Sequence, residues 1–344
     1  MITIALNIVL LAAAQEPPAQ LTTAPASQSA VMTRLELRIS PFVDMHYFVR
    51  TRIQTPDSMP SSMPALTELP EAVAAARALE TELGGALGWG LVESTLARCA
   101  SAEEAVKACE ELPETFVDQA GKRVQVRAGA VRLARAYTRF EPDFAKVIWP
   151  EHQPFIERAR AQLERKLIPK QTACFADIFA RLEMDDPRLE IPVYLVAEAP
   201  APGAFTHRRR RGGGVCFVGV GDLTEGLLDE MVLHESIHAL DIATSGQRTG
   251  LEELRTELRQ ADLGPDSPFW RDVPHTLMFV QSAATVRRVL NPAHKDYGDV
   301  AGYYAKVPVA ARIVRAAWGD YLAGHLTREK AIQQMVAEAR AASD

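Results

Sequence analysis

The segment Leu227–Ala243, LLDEMVLHESIHALDIA, constrains the fold of this chain more than any other stretch. It contains no Pro and ends before Gly246. Asp222 and Glu225 stand ahead of it, spaced as an N-cap and its capping-box partner. These signals predict one long helix beginning after Gly221. On such a helix His234 and His238 lie one turn apart on the same face. Ser236, Ile237 and Ala239 between and beside them are uncharged, and Leu240 is apolar.

The remainder of the chain divides by texture. Residues 34–39 (RLELRI) alternate polar and apolar, the period of a half-buried strand, and SPFVDMHYFVRTR follows with Asp44 and His46 close together. From Pro70 to Leu182 the pattern is helical. PEAVAAARALETEL opens with Pro in a first-turn position, and further helices are expected over 101–111, 125–139 and 154–167. The texture changes at Pro187. Residues 191–197 (IPVYLVA) and 215–220 (VCFVGV) read as strands, with a Pro202-Gly203 turn and the segment 204–207 between them. The expected fold class is α+β: a mainly helical part over 33–186, then a part over 187–344 with a small sheet, the long helix and C-terminal helices.

Residues 1–14 (MITIALNIVLLAAA) are apolar apart from Thr3 and Asn7 and end in small residues. The run is too short to span a bilayer and fits a cleaved signal peptide, so a secreted or periplasmic protein without a membrane span is expected. Residues 15–32, rich in Pro, Ala, Gln, Ser and Thr, read as a flexible linker. Export would permit disulfides. Cys99 and Cys109, at the facing ends of two expected helices, can then be bonded or be two buried thiols, while Cys174 and Cys216 read as core residues. The net charge of −6 argues against a nucleic-acid partner.

His234, Glu235 and His238 form the word H-E-x-x-H. Two imidazoles at this spacing supply two corners of a tetrahedral zinc site. Glu235 projects about 100° round the helix, beside a metal rather than on it, where a carboxylate can take a proton from a water on that metal. From about Ile191 to Gly246 the chain resembles the zincin metallopeptidases. The resemblance implies His234 and His238 as Zn2+ ligands, Glu235 as general base, and a peptide or protein substrate lying along an edge strand at Val215–Val220.

The third ligand does not follow the family's patterns. The metzincin extension is absent, since Asp241 and Thr244 occupy its Gly and final His positions. Glu252, Glu253 and Glu257 are available for a gluzincin-like site, but alternating Glu and Arg in LEELRTELRQ marks a solvated helix face. His275 ranks above them. It is expected in the first turn of a helix starting at Pro274 and capped by Asp272, on a face continued by Met278, Phe279 and Ser282. Asp241 is a candidate to orient a ligand histidine, and Tyr297, Tyr303 and Tyr304 are candidates to stabilise an oxyanion. His294 and His325 read as surface residues, and Arg208–Arg211 with Gly212–Gly214 as a hairpin tip. The alternative to a peptidase is a catalytically degenerate zincin-fold protein acting as a binding or scaffolding module in the cell envelope.

Overall fold

Strand β1 (Arg34–Arg38) leads directly into helix α1 (Pro41–Gln54), which Ser40 caps through Oγ and Pro41 opens at its first position. A computed structural model describes residues 32–55, 66–117, 123–209, 212–221, 223 and 225–343. The proposed signal peptide, nearly all of the linker, Asp222 and two of the four hairpin arginines lie outside the described residues. Residues 32–344 form one compact unit.

After α1 come α2 (Leu69–Glu82), α3 (Gly90–Leu96) and α4 (Ala102–Glu110), a small hairpin of β2 (Thr115–Val117) and β3 (Arg123–Gln125), and α5 (Arg127–Asp143). A π-helical turn, Phe144–Ile148, joins α5 to α6 (Trp149–Lys166), and α7 (Gln171–Leu182) follows. The expected helices at 101–111, 125–139 and 154–167 correspond to α4, α5 and α6. The second half opens with β4 (Glu190–Val196), β5 (Ala204–Arg208) and β6 (Gly214–Gly219), then α8 (Glu225–Ala243) and α9 (Gly250–Gln260). Helix α10 (Pro268–Thr285), the single turns α11 (Tyr297–Val300) and α12 (Tyr303–Lys306), then α13 (Pro308–Leu322) and α14 (Arg328–Ala341) complete the chain. The fold is α+β, mainly helical around a small sheet.

The four-stranded sheet has the order β1-β4-β6-β5. β1, β4 and β6 are parallel, and β5 runs antiparallel to β6 with Phe205 opposite Phe217. The edge beside α8 is therefore β5, which corrects the expectation that Val215–Val220 forms it. The burial patterns give the reason. β6 is an apolar run buried on both faces, as interior strands are, whereas β5 is only half-buried.

Because β1 pairs with β4, the sheet draws on both sides of Pro187. The cores divide elsewhere. One cluster joins α1 to α5 and the π turn through residues such as Phe48, Trp89, Tyr137 and Phe144. A larger one packs α6 and α7, together with α8, α10, α13 and α14, against one sheet face. The helical part thus has its own core only up to about Ile148, and the two helices before Pro187 belong with the sheet. A third, small cluster covers the other sheet face with Val43 and Tyr47 of α1. Helix α1 is consequently enclosed on nearly every side, and its buried charges are all partnered. Asp44 accepts from His152 and from the Ala197 amide at 2.7 Å each, and Arg52 pairs with Glu198 at 2.7 Å.

Helix α8 lies tight against the sheet. A β-carbon on Gly214, at the start of β6, would stand 2.7 Å from Ala239 Cα, so the strand and helix backbones meet where only glycine fits. Ala239 follows His238, and this contact sets the depth of the histidines below the sheet edge.

Candidate metal and catalytic site

His234, Glu235 and His238 project from the middle of α8, and His275 comes from α10. His234 Nε2 stands 3.2 Å from both His238 Nε2 and His275 Nε2, and the ligand atoms of all three lie within 4.8 Å of one another. His275 joins the pair as expected, but from a different helical position. α10 begins at Pro268 behind the Ser267 cap, not at Pro274. Pro274 sits inside the helix and His275 in its second turn, because Ser267-Pro268 is a complete start signal six residues earlier.

The donor set suits a cation. Burial keeps His234 neutral, its pKa well below the ordinary imidazole value, and His238 and His275 lower it further. Burial, then Arg255, pushes His238 down to about 4, and burial, then His238, pushes His275 down to about 3. Three neutral imidazoles facing one another at one nitrogen each cannot all donate or all accept. A cation bound 2.0–2.1 Å from each nitrogen removes that conflict, since tetrahedral ligands then sit about 3.4 Å apart. The cluster can therefore hold a metal ion.

The rings are fixed from behind. Phe279, one turn beyond His275 on α10, stacks on His234 with centroids 3.7 Å apart. Tyr303 on α12 places its hydroxyl 3.1 Å from His275 Nδ1 and 3.3 Å from Thr276 Oγ1. If His275 Nε2 faces the metal, Nδ1 carries the proton and donates to Tyr303, which donates onward to Thr276. Tyr303 therefore contacts His275 at Nδ1, the ring nitrogen other than the one that faces His234. Tyr297 stacks on Phe279 at 5.7 Å, and Tyr304 is buried against α13.

Glu235 is 5% exposed, and burial raises its pKa to about 7 against the lowering effect of a Thr206 hydrogen bond. Its Oε1 lies 4.0 Å from His234 Nε2, and its Oε2 accepts from Thr206 Oγ1 at 2.6 Å. Thr206 is a site residue that the sequence reading missed. The only local signal is alternation along AFTHR, which puts Thr206 on the opposite face from Phe205 and His207.

Other candidates go elsewhere. Asp241 is engaged by Arg255 at 2.9 and 2.6 Å through both oxygens, and among the described residues no hydrogen bond joins it to a histidine. Glu253 pairs with Arg328 at 3.0 Å, Glu252 lies 3.8 Å from Arg255, and neither they nor Glu257 join the imidazole cluster. His325 is exposed, but His294 is buried and bonded to Glu230 at 2.6 Å, which corrects its reading as a surface residue. Arg208 is exposed, and Arg209 donates to the Glu190 carbonyl at 3.1 Å. All four cysteines are buried free thiols. Among the described residues no helix is long and apolar enough to cross a membrane.

No family model, curated protein or solved structure matches this chain.

Proposed function

We propose that this chain is a zinc-dependent peptidase that cleaves peptide bonds with Glu235 as general base. The observation that carries the reading is the convergence of His234, His238 and His275 on one point, with Glu235 Oε1 4.0 Å from His234 Nε2. HESIH on a helix beside an antiparallel edge strand is also the resemblance to zincin metallopeptidases. His234, His238 and His275 would hold the ion through Nε2, leaving the fourth tetrahedral position open. When bound, zinc supplies Lewis acidity that makes a water nucleophilic near neutral pH.

The remaining chemistry belongs to side chains and backbone of this chain. Strand β5 pairs on one side only with β6, so its other side can align an extended peptide by main-chain hydrogen bonds. Glu235 takes a proton from the attacking water and delivers it to the amide nitrogen as the C–N bond breaks. A carboxyl beside the reacting bond can both take and return that proton. Residues 1–14 support an exported protein, secreted or periplasmic.

Incubating the zinc-loaded protein with a quenched random-peptide mixture tests the reading. Cleavage is expected in the wild type and not in Glu235→Gln, which retains its zinc. A fully zinc-loaded wild type that cleaves nothing would leave the metal-holding binding module instead.

A further inference from the structure

The proposed base is anchored from outside its own helix. Thr206 lies on the edge strand β5, and its Oγ1 stands 2.6 Å from Glu235 Oε2, 3.0 Å from the Glu235 carbonyl oxygen and 3.3 Å from Cys216 Sγ. A hydroxyl has one proton to donate, and an ionised carboxylate is the strongest of these acceptors. Among the described residues no other hydrogen bond reaches the Glu235 carboxylate. The two carboxylate oxygens are thereby made unequal. Oε2 is tied to β5, and Oε1 is the one 4.0 Å from His234 Nε2.

The strand that holds Oε2 is itself pinned from the other face. His207, the next residue on β5, bonds through Nε2 to the buried carboxylate of Glu93 on α3. Glu93 is held in turn by Arg50 and His46 of α1. Alternation along β5 thus points one side chain at the proposed base and the next at a buried ionic cluster. The helical part fixes the strand, and the strand fixes the carboxylate.

We propose that Thr206 is a positioning residue: it locks the Glu235 rotamer so that Oε1 faces the reacting water, and it ties the base to the strand that aligns the substrate. The inference rests on the reading of Glu235 as the base. Thr206→Val keeps a β-branched side chain of nearly the same size and removes the donor, which frees the carboxylate to rotate. Thr206→Ser restores the donor.

The test compares wild type, Thr206→Val, Thr206→Ser and Glu235→Gln, each loaded with one equivalent of zinc or cobalt. On a quenched random-peptide mixture, Thr206→Val is expected to lower kcat on the order of 10²-fold with KM and metal content unchanged, and Thr206→Ser to recover most of the loss. The visible spectrum of the cobalt form supplies a readout that needs no turnover. It should move in Thr206→Val towards that of Glu235→Gln and stay at the wild-type position in Thr206→Ser. A Thr206→Val protein with wild-type kcat overturns the proposal, and so does a loss that Ser fails to recover. If the wild type cleaves nothing, the peptidase reading fails by itself. The cobalt spectrum then decides on Thr206, and an unchanged Thr206→Val spectrum overturns it.

Discussion

His234 Nε2 and His275 Nε2, 41 residues apart in the chain, stand 3.2 Å from each other. Two helices bring them there. α8 is pressed onto the sheet through Gly214, and α10 packs alongside it with Phe279 stacked on the His234 ring. His275 thus adds a third nitrogen to a pair whose spacing is set by one helical turn. The centre depends on both helices keeping their depth.

That depth is testable at Gly214. Gly214→Ala forces β6 and α8 apart, because the new β-carbon meets backbone rather than a movable side-chain end. A loss of about 1–3 kcal/mol is expected, with weaker metal retention than wild type. Urea denaturation and metal analysis of the same preparation measure both.

Tyr303→Phe removes the acceptor for the outer N–H of His275 and leaves the ring in place. Metal affinity is expected to fall by about 10- to 100-fold while folding stability changes little. Competition with a chromogenic chelator reads the affinity. An unchanged affinity would show that the Tyr303 contact does not tune the site.

The ionic cluster behind β5 makes a prediction about acid stability. Burial opposes ionisation of Glu93, but Arg50, His207 and His46 more than offset it and hold its pKa well below the ordinary 4.5. A folded-state pKa below the unfolded one means stability that is fully present above about pH 4.5 and lost as pH falls towards the folded value. Glu93→Gln should cost about 3–5 kcal/mol at pH 7, by leaving Arg50 buried without its carboxylate, and should flatten the acid limb. Denaturant titrations of both proteins between pH 7 and pH 3 decide this. An acid limb as steep in the variant as in the wild type would contradict it.

Several elements were legible in the sequence because their signals are local. The α8 helix, the placement of its two histidines on one face and three of the four strands of the sheet, β1, β4 and β6, follow from periodicity and turn residues within short windows. His275 was legible only as a histidine on an inward face. Its helix starts at Ser267-Pro268, and Pro274, tolerated inside α10, imitates a start. The edge strand was misassigned because strand order is a tertiary property. VCFVGV and AFTHR differ in how much they bury, and only sheet pairing shows which of them ends the sheet. Thr206, the contact of Tyr303 with His275 and the Glu230 partner of His294 were not legible, since each contact joins residues 28 to 64 positions apart with no motif between them.

The central claim is that His234, His238 and His275 hold one zinc ion. Metal analysis of protein supplemented with zinc and then dialysed tests it most directly, alongside the three single alanine variants. About one equivalent is expected in the wild type, with three imidazoles in the X-ray absorption spectrum, and close to none in each variant. A wild-type protein that emerges free of zinc, or a His275→Ala variant that keeps a full equivalent, would contradict the account.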